Sequence, residues 1–160
     1  MRNLIYILFG GLLFLSSCSN KNKNIQLFNE KAKLPEGFKF DTFGLKVMAS
    51  YINKKSGTMS TLYANRTALS HMLKGDKSHT AGEVFALVTW KQQADGHWFG
   101  ANIPGDLQSV ELIITTTAAA KNALITYKKY IGGNLDPAPD TLLQGVRIKY
   151  ILNQQPSVLP

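Results

Sequence analysis

The chain has a single cysteine in 160 residues, Cys18. No disulfide can form within it, thiolate metal sites are excluded, and so is the Cys-x-x-Cys-His attachment of a c-type haem. Histidine is scarce as well. His71, His79 and His97 are separated by 8 and 18 residues, which matches no metal-binding spacing such as His-x-x-x-His, so no metal site is expected. Neither glycine-rich phosphate signature, Gly-x-x-x-x-Gly-Lys-Ser/Thr or Gly-x-Gly-x-x-Gly, is present, so nucleotide binding has no anchor. A Gly-x-Ser-x-Gly turn is missing too, which leaves hydrolase chemistry without a nucleophile elbow. No residue is assigned a catalytic role. Acids are few: 10 against 18 Lys and Arg, for a net charge of +8.

The N-terminus carries a clear instruction. Arg2 precedes an apolar run from Leu4 to Leu15, and Ser16, Ser17 and Cys18 follow. A basic start, an apolar centre of about 7–15 residues and small residues at the cut describe a secretory signal, too short for a membrane span of about 20 residues. Leu15-Ser16-Ser17-Cys18 resembles the lipobox of bacterial lipoproteins, in which the cysteine is lipidated and becomes the first residue. The expected organisation is a signal peptide over 1–17, a lipidated Cys18 with an Asn- and Lys-rich flexible tether over 18–33, and a domain over 34–160. Ser19, rather than Asp, after the cysteine points to the outer membrane. The signal removes one basic residue and no acid, so the mature chain keeps a net charge of +7. That excess either serves solubility alone or suits anionic lipid headgroups or envelope polyanions, not nucleic acid.

Alternation and breakers give the coarse fold. Strands are expected over 45–53, 58–64, 83–91, 109–116 and 123–131. Asn65 caps a helix over 65–74 that stops at Gly75. Leu34-Pro35-Glu36-Gly37-Phe38 opens the ordered part, with Pro35 at a turn or first helical position. Asp140 caps a final helix that turns Leu143, Val146, Tyr150 and Ile151 inward. On helical spacing His71 falls beside Leu69 and Met72, as a half-buried core histidine, and His79 sits in an exposed loop. Short connections favour antiparallel pairing. The expected class is α+β: a curved, mostly antiparallel sheet of about five strands with one inserted helix and a C-terminal helix.

In order along the chain, "TLYAN" (61–65), "AGEVFALVTWK" (81–91), "HWFGANIPG" (97–105) and the ending "RIKYILNQQPSVLP" resemble the cytochrome P-460 family, over roughly Leu34 to Pro160. That resemblance implies a mostly antiparallel sheet enclosing one haem and the handling of hydroxylamine or nitric oxide. Members of that kind attach haem through a C-terminal Cys-x-x-Cys-His, and some crosslink it to a strand lysine. Here "NLDPAPDTLLQGVRIKY" (134–150) holds neither cysteine nor histidine, and the lysine position is Leu87, with Lys91 further along the same strand face. Any haem would be held non-covalently, and these residues do not support oxidoreductase activity.

The stretch "WKQQADGHWFGANIPG" (90–105) concentrates the chemistry. It holds both tryptophans and His97. Two readings stand. Trp90, Trp98 and Phe99 wall a pocket for a small molecule or haem, with His97 as an axial ligand. Or the stretch is a packed aromatic loop, Pro104-Gly105 is a turn, and His97 is an exposed turn residue. The corresponding functions are a lipid-anchored envelope protein that handles small nitrogen species at a haem, and a haem-free module for a small ligand or partner on the same fold.

Overall fold

The computed structural model describes residues 29–38, 40–75, 78–117, 123–139 and 142–157. The signal segment, Cys18 and the Asp140 cap lie outside the described residues.

Six strands run in sequence order as one antiparallel meander: β1 (Lys46–Asn53), β2 (Thr58–Ala64), β3 (Val84–Ala94), β4 (Asn102–Thr117), β5 (Ala123–Ile131) and β6 (Asp136–Pro137). Three helices accompany them: α1 (Phe40–Phe43), α2 (Arg66–Leu73) and α3 (Gln144–Leu152). The class is α+β, with one more strand and one more short helix than expected. Neither carries a sequence signal of its own. β6 is two residues laid beside Tyr130 and Ile131, and α1 is a single turn.

Local chemistry explains the well-read elements. In the β1–β2 turn the Asn53 side chain accepts from the backbone N–H groups of Lys55 and Ser56, at 3.0 and 3.1 Å, and Gly57 supplies the positive φ of 62°. The Asn65 side-chain oxygen accepts from the Ala68 N–H at 3.0 Å, so the helix cap is as expected. Its amide also donates to the Gly82 carbonyl at 2.7 Å, which pins the α2–β3 loop to the start of the helix.

β3 is covered on both sides. Phe85 and Leu87 pack with Met48, Leu62, Ala64 and Ile113 of neighbouring strands, under Leu69 and Met72 of α2 and Ile151 and Leu152 of α3. Val84, Ala86, Val88 and Trp90 face the other way, with Leu107, Val110 and Leu112. There the cover is the N-terminal segment, through Ala32, Leu34, Phe38, Phe40, Phe43 and Leu45. The molecule is therefore layered: helices, sheet, N-terminal segment.

Three expectations are corrected. Residues 29–33 are part of the packed structure, not of a free tether: Glu30–Ala32 form a 3₁₀ turn, and the Trp90 indole N–H donates to the Ala32 carbonyl at 2.9 Å. A buried indole needs such a partner, and this one draws the segment onto the sheet. Pro104-Gly105 is not a turn. It lies inside β4, where β5 no longer pairs and the missing proline N–H is not needed. A Cβ on Gly105 would come within 3.0 Å of the Lys91 carbonyl, so glycine permits the irregular register between Trp90 and Gln92.

The third correction is the phase of α3. Ile151 is buried, but Leu143, Val146 and Tyr150 are exposed. The inward face is Arg147, Ile148, Ile151 and Leu152, because Arg147 turns toward a carboxylate in the sheet. The β1 edge of the sheet is interrupted. β1 is irregular between Val47 and Ala49, and the Ser157 N–H donates to the Met48 carbonyl at 2.9 Å.

This packing predicts unequal costs along one helix. Ile151→Ala should lose about 2–5 kcal/mol of stability. Val146→Ala, at a 63% exposed position, should stay within about 0.5 kcal/mol. Urea denaturation of the two variants measures both, and equal losses would restore the original phase.

Candidate functional site

The four residues singled out in the 90–105 stretch do not come together. Trp90 is buried in β3 against the N-terminal segment. Trp98 is 72% exposed, Phe99 is fully exposed, and the His97 side chain is 83% exposed on the same hairpin turn. His97 is held only by the Asp95 carboxylate, which accepts its backbone N–H at 2.8 Å and lies 3.6 Å from its ring. The expected pocket wall of Trp90, Trp98 and Phe99 is thus not built. The turn closes on itself, with Asp95 N–H to the Ala101 carbonyl and Ala101 N–H to the Trp98 carbonyl, and it throws the two rings outward.

Two buried carboxylates on the helix side of the sheet were not anticipated. Glu111 is the acid in the apolar run "SVELIITT", and its alternation with Ile113 places it on the α3 side. Arg147 binds it through two N–H groups, Nε to Oε2 at 2.9 Å and Nη2 to Oε1 at 2.6 Å. The Tyr127 hydroxyl donates to Oε2 at 2.6 Å. Burial pushes the Glu111 pKa up, but the hydrogen bonds from Arg147 and Tyr127 outweigh it, and the net shift is downward. The same contact, after burial, drives the Tyr127 phenol well above its ordinary value. Arg147 also lies 4.9 Å over the Tyr150 ring. A lone acid among inward-facing apolar residues was the available signal for this pair.

Glu83 is fully buried at the start of β3. His79 Nδ1 lies 2.8 Å from its Oε2, and the Thr80 N–H donates to Oε1 at 3.1 Å. His71 Nδ1 is 3.0 Å from Oε1, close enough for an ion pair but out of line for a hydrogen bond. His71 is half-buried, in keeping with its helical spacing. His79 is drawn in from the loop, because a buried carboxylate needs donors and Glu83 lies four residues further along the chain. Among the described residues, no group of three or more His, Cys, Asp and Glu side chains is arranged to hold a metal ion.

Ligand-sized space lies elsewhere. On the face under the N-terminal segment a concavity of about 400 Å³ opens between residues 37–43 and strands β4 and β5. Phe38, Phe43, Leu112, Ile114 and Leu135 make its walls, with Thr42, Lys128 and the Tyr130 ring as polar members. Its size falls in the range of small-molecule sites, roughly 300–1,000 Å³. A second depression of about 430 Å³ lies among Glu30, Lys31, Lys33, Glu36 and Asp106, and its charged walls suit water. A third, of about 190 Å³, adjoins Tyr127 and Arg147, whose polar groups are already engaged with Glu111.

The histidine expected to ligate a haem is not at any of these three concavities. His97 stands in solvent on the hairpin turn and lines none of them; no histidine, methionine or cysteine does, and of the tyrosines at their walls Tyr127 is already bonded to Glu111, which leaves Tyr130. No family model matches the chain, and no curated protein matches it. The likeness to the cytochrome P-460 family therefore rests on its motifs.

The Glu111 contact predicts an asymmetry. Arg147→Met leaves a buried carboxylate without its cation and should cost about 3–5 kcal/mol. Glu111→Gln leaves an arginine whose side chain is 36% exposed and can be hydrated, so it should cost less, about 2 kcal/mol. Because the Glu111 pKa is lowered on folding, its contribution is complete above the ordinary carboxylate range and is lost as pH falls through the folded value. Denaturation against pH should show a shallower acid limb in Glu111→Gln than in the parent.

Proposed function

We propose that the chain is an exported, lipid-anchored envelope protein whose domain, a cytochrome P-460-like sheet without haem, binds a small apolar molecule carrying an acidic group. One observation carries the reading: the 400 Å³ concavity of aromatic and aliphatic walls with Lys128 at its edge. Lys128 lies opposite Leu112 in the β4–β5 register, so the cation stands beside the apolar floor. Burial of the apolar part supplies affinity, and the ammonium selects the acid. The lipobox at Leu15–Cys18 supports the anchoring, and the single cysteine suits a residue reserved for it.

Two measurements test the proposal. An anionic naphthalene sulfonate fluorophore should bind the full chain saturably and be displaced by dodecanoate. Lys128→Glu should weaken that binding about tenfold, a change of roughly 1.4 kcal/mol, while leaving a neutral apolar probe unaffected. Binding that ignores Lys128→Glu would remove the acid from the reading. A sharp Soret band on haemin titration, lost in His97→Ala, would favour the haem reading instead.

For the anchor, metabolic labelling with a radioactive fatty acid should mark the parent and not Cys18→Ala. Label retained in Cys18→Ala would refute lipidation at that residue.

A further inference from the structure

The β3–β4 hairpin extends beyond the rest of the sheet. β2 begins at Thr58, opposite Lys91, and β5 ends at Ile131, opposite Ser109. Past those points the ladder continues between β3 and β4 through Gln92–Pro104, Gln93–Ile103 and Ala94–Asn102, and the Gln92 N–H still donates to the Gly57 carbonyl of the β1–β2 turn at 2.8 Å. At the end of this finger stand Trp98 and Phe99, the most exposed aromatic rings in the described residues. The finger is held in shape by its ladder and by the closed turn over 95–101. Two large apolar rings presented to water on an ordered turn call for a partner.

Three observations indicate which partner. The first is where the chain enters the domain. The Asn29 side chain donates to the Pro104 carbonyl, two ladder pairs from the turn, so the N-terminal connection reaches the domain at the base of the finger. From Cys18 to Asn29 is eleven residues, a reach of on the order of 40 Å at full extension. The second is charge. Lys54 and Lys55 in the β1–β2 turn and Lys91 in β3 are exposed at this same end of the sheet. Of the finger's two acids, Asp106 is exposed, but the Asp95 carboxylate is largely covered and accepts the His97 N–H; the exposed acids Glu30, Glu36 and Asp136 lie with Lys31 and Lys33 around the finger's base, not at its tip. The third is residue type, since tryptophan favours the headgroup level of a bilayer, where its ring is buried and its N–H stays hydrated.

We propose that the hairpin tip, through Trp98 and Phe99, inserts into the headgroup region of an anionic lipid bilayer, with Lys54, Lys55 and Lys91 over the surface. The tip is then a second attachment beside the N-terminal one. Two attachments at one end hold the sheet upright and keep the apolar concavity on the flank of the domain. The surface is separate from that concavity, and the tip's contact with lipid does not require that Cys18 be acylated.

The test reads the depth of Trp98. The full chain is reconstituted into phosphatidylethanolamine–phosphatidylglycerol vesicles, in which either an acylated Cys18 or the uncut apolar leader keeps it on the bilayer. Acyl chains brominated near the headgroup should quench part of the tryptophan emission of the parent and none of that of Trp98→Phe, whose remaining Trp90 is buried. Aqueous acrylamide should quench the parent less on vesicles than in detergent-free solution below vesicle-binding concentration. Replacing Lys54, Lys55 and Lys91 by Gln should reduce the brominated-lipid quenching, and 0.5 M salt should do the same, on the order of a Debye length of screening. Trp98 that stays open to acrylamide and untouched by brominated lipid would overturn the proposal. So would shielding of Trp98 seen in native membranes and not in protein-free vesicles, which would assign the tip to a protein partner.

Discussion

Five consecutive residues of β3, Val84 to Val88, are buried, and the strand alternates its side chains between two faces. That single constraint organises the molecule. A strand buried on both sides at the centre of a sheet must be covered twice, and the chain supplies the covers from different places. Helices α2 and α3 close one side, and the segment from Asn29 to Leu45 closes the other. The second cover is thin, a 3₁₀ turn and one turn of α-helix. It leaves open the apolar concavity between Phe38, Phe43 and strands β4 and β5.

The covers are fastened by polar contacts at chosen points. Arg147 ties α3 to Glu111 in β4, and Glu83 gathers His71 of α2 with His79 and Thr80 of the following loop. On the opposite face the Trp90 indole holds Ala32. Each fastener joins residues far apart in sequence or across a loop, and each fixes the angle at which an apolar element lands. Nonpolar packing alone would tolerate a rotated α3. A bidentate arginine does not.

Much of the sheet was legible because its strands alternate cleanly and its breaks carry mechanism. Asn65 and Gly75 bracket α2, and Asn53 to Gly57 turn β1 into β2. Legibility failed where a tertiary contact overruled a local preference. Pro104-Gly105 has the composition of a turn, yet it sits in β4 beside an unpaired edge. Leu143, Val146 and Tyr150 have the residue types of an inward stripe, but the Arg147 contact rotates them out. The site suffered most. Trp90, Trp98 and Phe99 are neighbours in sequence, and nothing in their order tells which ring the hairpin buries and which it presents.

The edges of the sheet carry a further consequence. On one side β1 is irregular at Val47 and Ala49, and Ser157 occupies the Met48 carbonyl. On the other, β6 is two residues long and ends in Pro137, which has no N–H to offer. β6 covers only Tyr130 and Ile131, so along 123–128 the outer side of β5 keeps backbone donors and acceptors that no described strand pairs. Copies of this chain packed side by side along that edge would bring Lys128 and Lys129 of one strand against those of the next, and this like charge, not a lack of free backbone, opposes growth into a continuous ribbon.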